Sequence, residues 1–524
     1  MQNESEPALA PVPDDFNMAN YCIGRAARAN PDKNALLVFD TAEPLSDADA
    51  IEQWTFAGLE RAILNIASGL AAQGLERGDR VAIHLGNDSA SALLFFSAIA
   101  GGFVALPLSD QLTAPELHDL LDDSGARLIA TKSPFPHRDL PSGIRVLGRS
   151  DITAMMQNCD ARPYVETAAN DPAFLIYTSG TTARPKGVLH AHRSAWGRRP
   201  MYQGWYGISA ADRMLHAGNF NWTYTLGTGL TDPWANGATS IIYTGEKRPE
   251  IWPALITNTG ATIFAAVPGV YRQILKYAHV SRDFGHLRHG LVAGETPPPG
   301  LFDDWRAATG RELYEALGMS EISTYISTNP SVVRRDGTIG KPQAGRRVAI
   351  LPVKGEPNPL PPGHEGLIAV HRSDPGLMLG YWNRPEEEKE VFRGDWFAGG
   401  DLGSIDAEGH ITHLGRANEL MNAGGYRVSP LEVEAVLQTA PGVAEVACRE
   451  VQVRAGVFVI AAFVVASPSS AATALDEPTL LAFCQSRLAA YKCPKMVVTI
   501  EALPKTANGK IQRRLLPASC VKVE

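Results

Sequence analysis

The sequence predicts an α/β protein: a large multi-sheet N-terminal domain with parallel sheets and covering helices, plus a small α+β C-terminal domain. Three observations carry this reading. Helix and strand patterns alternate through most of the chain, several strand candidates are apolar throughout as doubly buried parallel strands are, and the alternation restarts after Arg416. The expected domains are 1–415 and 416–524.

Taken in order, Leu59, Ile63, Ile66 and Leu70 recur at helical spacing between Thr55 and Gly74, and a strand over 80–85 follows a Gly-containing turn. The stretch 92–108 is uncharged and almost long enough to suggest a membrane span. Gly101, Gly102 and Pro107 instead divide it into a buried helix and a core strand over 103–108. A helix over 115–121 and a strand around Leu128 continue the alternation. Later strands are expected at Ile241 and Ile242, over 262–265, at Leu291 and Val292, and over 312–314. In the second domain, Ser429, Pro430 and Glu432 predict a capping box opening a helix through Leu437. Strands over 443–451 and 458–465, a helix near 480–488 and a strand near 497–500 complete it.

The chain has 524 residues, 45% hydrophobic and 20% charged, which suits a soluble protein with a sizeable core and more than one domain. A net charge of −8 without a dominant basic patch argues against nucleic acid and anionic membranes as partners. Six scattered cysteines without a CxxC pair point to reduced thiols in a cytoplasm, and the polar, acidic start lacks the pattern of a secretory signal. No metal cluster is visible, and a homodimer is compatible with the sequence.

The most chemically informative segment is 178–187, directly after the apolar run from Ala173 to Tyr177. Gly180 and Gly187 open backbone conformations closed to other residues, Thr178, Ser179, Thr181 and Thr182 offer hydroxyls, and Lys186 offers a point charge for phosphate oxygens. A Walker A loop needs Gly before its Lys and Ser or Thr after it, whereas Pro185 and Gly187 flank Lys186. The ordinary P-loop reading therefore fails.

The segment resembles the TSGTTGxPKG signature of the adenylate-forming superfamily, with Ala183 at a usual glycine. Further motifs follow in the family's order. Gly294 and Glu295 resemble the segment bordering the adenine, and Leu317, Gly318, Met319, Ser320 and Glu321 are similar to YGxTE. The WFxTGDxG motif has its counterpart in Trp396 to Gly403, with Gly399 at the threonine position and Asp401 as the implied ribose ligand. Arg416 fits the ribose and phosphate arginine, Asn418 the hinge, and Gly424, Gly425 and Tyr426 the CoA channel. Lys510, within a PKTxxGK-like segment, is the implied adenylation lysine. Taken alone, it would read as part of a solvated basic tail with Arg513 and Arg514.

The resemblance implies ATP, Mg2+ and CoA as reactants and cofactors, with Glu321 and Thr182 directed at the metal and Lys510, Glu321 and Thr182 as catalytic groups. It also implies a mobile C-terminal domain that swings about the hinge between two half-reactions. Residues 216–229 are similar to the pocket segment of the benzoate-CoA ligase and medium-chain acyl-CoA synthetase branch. This makes Trp222, Tyr224, Gly227, Gly294 and Gly318 the expected acid pocket, although aromatic residues at such spacing are also ordinary core. The expected substrate is a small aromatic, alicyclic or medium-chain acid. A freestanding ligase loading a carrier protein is the enzymatic alternative. An inactive nucleotide-binding relative is the other, motivated by Ala183, Gly399 and Asn418.

Overall fold

The computed structural model describes residues 11–43, 46–132, 140–178, 185–298, 300–417, 419, 421–423, 426–454, 457–467, 476–488, 490, 492–505 and 511–518. Two large sheets form the body. One runs from edge to edge through Gly380–Tyr381, Lys186–Ala191, Pro172–Thr178, Val104–Pro107, Arg80–His84, Leu128–Thr131 and Arg145–Leu147. The other runs through Lys341–Pro342, Ser323–Ser327, Glu312–Met319, His289–Ala293, Ile263–Ala266, Arg213–His216, Thr239–Tyr243, Asn34–Phe39 and Glu52–Thr55. Both are parallel in the middle and antiparallel at one or both ends, so the parallel strands deliver their C-terminal ends to a common side of each sheet.

The helix Ser89–Ala100 explains how the two sheets share a core. Eleven of its residues are buried, so it has no solvent face to mark with charge. It joins one apolar cluster holding Val81, Ala105 and Phe174 of the first sheet and Leu36, Val38 and Ile242 of the second, and Phe96 meets Trp234 at 5.0 Å. Asp88 caps it by accepting from Ser91 N at 2.8 Å. The division of 92–108 follows the expected pattern: the helix stops at Ala100 and the strand resumes at Val104–Pro107, with Gly102 turning the chain at φ +75°. Among the described residues no helix is long and apolar enough to cross a membrane.

A third sheet, Val348–Leu351, Gly366–His371, Trp396–Ile405 and Phe392–Arg393, carries Ile411–Arg416 as a further partner of its long strand. A turn from Asp406 to Gly409 closes that hairpin, with Gly409 N donating to Asp406 O. Beyond it, Val443–Arg454, Val457–Ala466 and Met496–Thr499 form a three-stranded sheet packed by helices Pro430–Gln438 and Glu477–Gln485. The helix expected from Ser429 begins where it should, but the capping box does not form. Ser429 stands at the N-cap with no side-chain cap hydrogen bond, and Glu432 pairs with Lys492 instead of reaching back. Arg513 also departs from a basic-tail reading: it is largely enclosed and donates to both oxygens of buried Glu434 at 2.9 and 2.7 Å. Five cysteines, Cys22, Cys159, Cys448, Cys484 and Cys493, are free thiols.

Glu315, on the strand leading to the site, is buried, and burial pushes its carboxyl up to about 7 despite Arg334 nearby. Because the folded value lies above the unfolded one, its contribution to stability is intact below about pH 4.3 and is lost as pH rises through about 7. Glu315→Gln is therefore expected to raise the melting temperature relative to wild type at pH 8 and to change it little at pH 4. The gain is at most about 4 kcal/mol, since each tenfold change in proton affinity is worth ~1.4 kcal/mol. Melting curves at the two pH values check this.

Candidate active site

The first sheet ends at the phosphate segment. Thr178 closes Pro172–Thr178, Lys186 opens the antiparallel strand beside it, and the two residues face each other across the pair. Ser179, Gly180, Thr181 and Thr182, with Ala183, lie outside the described residues, as do Asn418, Gly424, Gly425 and Lys510. Tyr426 opens the short strand Tyr426–Val428, paired with Met421–Ala423.

Lys186 is paired with Glu387, and its ammonium lies 5.3 Å from the centre of the Tyr381 ring. Tyr381 in turn donates from its hydroxyl to Glu321 Oε1 at 2.7 Å, and Glu321 sits on the turn joining Glu312–Met319 to Ser323–Ser327. Residues far apart in sequence thus connect the phosphate lysine to the expected metal carboxylate. Burial raises the Tyr381 hydroxyl well above its ordinary range, and the Glu321 charge adds to this, so it remains a donor. Glu321 offers a hard oxygen ligand, which suits Mg2+ completed by phosphate oxygens. Among the described residues no lysine or arginine forms an ion pair with it.

The third sheet carries the expected ribose ligands. Asp401 on Trp396–Ile405 faces Arg416 on Ile411–Arg416 across the ladder, and only 5% of it is exposed. Its carboxylate accepts from His413 Nε2 at 3.0 Å and from Arg416 Nη1 at 2.9 Å. Burial works against the Asp401 charge, but the His413 hydrogen bond and the Arg416 charge outweigh it and hold the carboxyl below the usual range. Each carboxylate oxygen has a further lone pair, so two ribose hydroxyls can still be received. The missing threonine at Gly399 has a steric reason: a side chain there would overlap Met319 Sδ, so the small residue makes room for the methionine of the neighbouring motif. Gly294 follows its strand at φ +92°, and a Cβ on Gly318 would lie 2.7 Å from Ser323 O.

A narrow cavity with about 20 Å³ of free space adjoins these motifs at Ser320 and Gly227. Phe95, Phe174, Leu226 and Ile322 wall it with carbon. The His190 ring stacks on Phe174 at 4.6 Å and its Nε2 lies 2.7 Å from Ser320 O. Burial pushes this imidazole down to about 4, so it is neutral at ordinary pH and Nε2 carries the donated proton. Arg198, also at the wall, is held by buried Asp232 at 2.8 and 2.7 Å and reaches Ser323 Oγ, on a residue at φ +72°. Any side chain on Gly227 would overlap this guanidinium. Gly227, one of the expected pocket residues, lines this cavity. Tyr224, by contrast, packs against His216 and Trp205 and donates to the carbonyls of Ala266 and Leu291, and neither Trp222 nor Tyr224 lines this cavity.

The sequence reading did not single out Tyr381, Glu387, His413, His190 or the Arg198–Asp232 pair. Each is fixed by a tertiary contact across 12 or more residues, and none carries a local spacing that marks it.

A model of the AMP-binding enzyme family matches residues 23–382, and one of the AMP-binding enzyme C-terminal domain matches 432–510. The chain belongs to the AMP-binding enzymes. Relatives include the 3-hydroxybenzoate–CoA ligase of Aromatoleum sp. (strain CIB), 29% identical over 90% of this chain and 93% of that protein. Human mitochondrial acyl-coenzyme A synthetase ACSM2A is 30% identical over 88% and 84%. Among solved structures, a benzoate CoA ligase from Burkholderia xenovorans LB400 superposes with a TM-score of 0.84 at 26% identity, covering 96% of this chain and 99% of that one. This AMP-binding enzyme is accordingly an AMP-forming acid–CoA ligase that uses ATP, Mg2+ and CoA.

In the AMP-binding enzyme Lys186 is ion-paired with Glu387, which would compete with phosphate oxygens if Lys186 serves the expected phosphate role. Glu387→Gln is expected to lower the KM for ATP about two- to fivefold, the worth of one partly exposed ion pair. Steady-state kinetics at varied ATP check it.

Proposed function

We propose that this ligase adenylates a small aromatic, alicyclic or medium-chain acid, with Lys186 and Lys510 at the phosphates, Glu321 and Thr182 at the metal, and Asp401 and Arg416 at the ribose. The observation that carries the reading is the linked set Lys186–Tyr381–Glu321 beside Asp401–Arg416. A lysine, a carboxylate with a hydroxyl partner and a buried carboxylate–arginine pair, on elements of three sheets, are the groups that a phosphate, a metal and a ribose would each require. The carbon-walled cavity adjoining Ser320 supports an acid with an apolar body, and the aryl- and medium-chain-type relatives point the same way.

A carboxylate is a poor electrophile because attack adds charge to an anion and expels an oxide. The acid oxygen therefore attacks the α-phosphate of ATP and displaces pyrophosphate. Lys186 takes the departing charge and Lys510 steadies the reacting carboxylate and phosphate. Glu321 and Thr182 would hold Mg2+, which would supply positive charge against the phosphate oxygens. Asp401 fixes the ribose so that the α-phosphate meets the acid in line. A CoA thiol entering past Gly424, Gly425 and Tyr426 then takes the acyl group and AMP leaves, with the domain from 416 onward turning about Asn418 between the two steps.

The test is CoA-dependent AMP release from ATP across benzoates, cinnamates, alicyclic acids and straight acyl acids of graded length. Turnover concentrated in small aromatic, alicyclic or medium acids supports the proposal. Acid-dependent adenylation without CoA consumption would replace it with carrier-protein loading, and no acid-dependent pyrophosphate exchange would point to an inactive relative.

A further inference from the structure

One carboxylate ties the segment that carries Lys510 to the large domain. Lys505 and Ile511 form an antiparallel bridge, and Gln512 N donates to Pro504 O at 2.8 Å, so the described ends of the segment 505–511 are pinned together. Lys505 Nζ lies 2.8 and 2.7 Å from the two oxygens of Glu445, on the strand Val443–Arg454. The same Glu445 accepts from Arg272 Nη2 at 3.1 Å across the domain boundary. Arg272 belongs to the helix Pro268–Tyr277, which starts one residue after Val267, and Val267 faces Gly294 of the expected adenine segment. A guanidinium on a helix of the large domain, a carboxylate of the small domain and the foot of the lysine segment thus form one ion cluster.

The geometry points to Glu445 as a positioning residue for the adenylation half-reaction: it joins Arg272 to Lys505 and so sets where the segment holds Lys510 relative to the acid and ATP. This rests on the proposed role of Lys510 in adenylation. All three side chains are partly exposed, between 22% and 43%, so each pair is individually weak and the cluster biases a pose without locking it. Such a bias suits a contact that has to break once per turnover.

The test compares two half-reactions in Glu445→Gln, Arg272→Ala and the double variant: acid-dependent pyrophosphate exchange, and thioester formation from a supplied acyl adenylate and CoA. Each single variant is expected to slow exchange about three- to tenfold, the worth of one or two exposed ion pairs, with the KM for ATP and acid unchanged. Thioester formation is expected to stay within about twofold of wild type, and the double variant to be no slower than the worse single variant, because the two residues act through one contact. Arg272→Ala lies on the large domain and leaves the fold of the small domain intact, so it separates positioning from folding. Equal slowing of both half-reactions, or full additivity in the double variant, overturns the inference. Wild-type exchange in Arg272→Ala alongside loss of exchange in Lys510→Ala overturns the clasp alone. Retained exchange in Lys510→Ala overturns the reading beneath it.

Discussion

Lys510→Ala abolishes acid-dependent pyrophosphate exchange, by about 100- to 1000-fold, while thioester formation from a supplied acyl adenylate proceeds near the wild-type rate: this is the expected result with the largest effect. The charge that builds on the attacking carboxylate and the α-phosphate is the one that a preorganised ammonium stabilises. Losing one such donor removes a contact made more strongly in the transition state than before it. The second half-reaction attacks an acyl carbon already activated, with AMP as the leaving group, so it has no use for that lysine. Exchange assays and single-turnover thioester assays on the same preparation decide the matter, and parallel loss of both activities would contradict the assignment.

Asp401→Asn is expected to raise the KM for ATP about 100-fold or more, since two charge-assisted hydrogen bonds to the ribose are each worth about 1.5–3 kcal/mol. The substitution keeps the shape, and His413 Nε2 retains an oxygen to donate to, but Arg416 loses its counter-ion. It also has a pH signature. The Asp401 carboxyl is held below its ordinary value, so its stabilising contribution is present above the unfolded value of about 3.9 and disappears as pH falls through the lower folded value. Wild type should therefore melt higher than Asp401→Asn at pH 6, and the gap should close under acid. Calorimetry across that range, beside ATP kinetics at neutral pH, checks both parts. An Asp401→Asn variant with wild-type ATP kinetics would remove this residue from the ribose site.

Motif order was enough to identify the family, because its motifs are local in sequence. Arg416 ends its strand and Glu321 sits on a turn, whereas Asp401 lies within the strand Trp396–Ile405 and was legible through its motif alone. An uncharged stretch broken by glycine and proline likewise revealed the buried helix and strand between Ser89 and Pro107. Residues that serve a site through a partner carry no such local mark. Tyr381, on the edge strand Gly380–Tyr381, and Glu387, on the helix Pro385–Val391 that follows it, meet Glu321 and Lys186, and nothing in their own neighbourhood signals it. The acid pocket was only half legible for a related reason. Gly227 is required by the close approach of Arg198, while Tyr224 uses its ring and hydroxyl to tie two strands together, and both uses look alike in sequence. The capping box at Ser429 failed because tertiary pairing of Glu432 with Lys492 outcompeted a local bond.

The ribose carboxylate stands on a different sheet from the phosphate lysine, and the metal carboxylate on a third. A nucleotide held by all three in the proposed roles would brace three sheets against one another. Its binding would then stabilise the fold by about 2.7 kcal/mol at a hundred times its dissociation constant, so saturating ATP is expected to raise the melting temperature of the large domain.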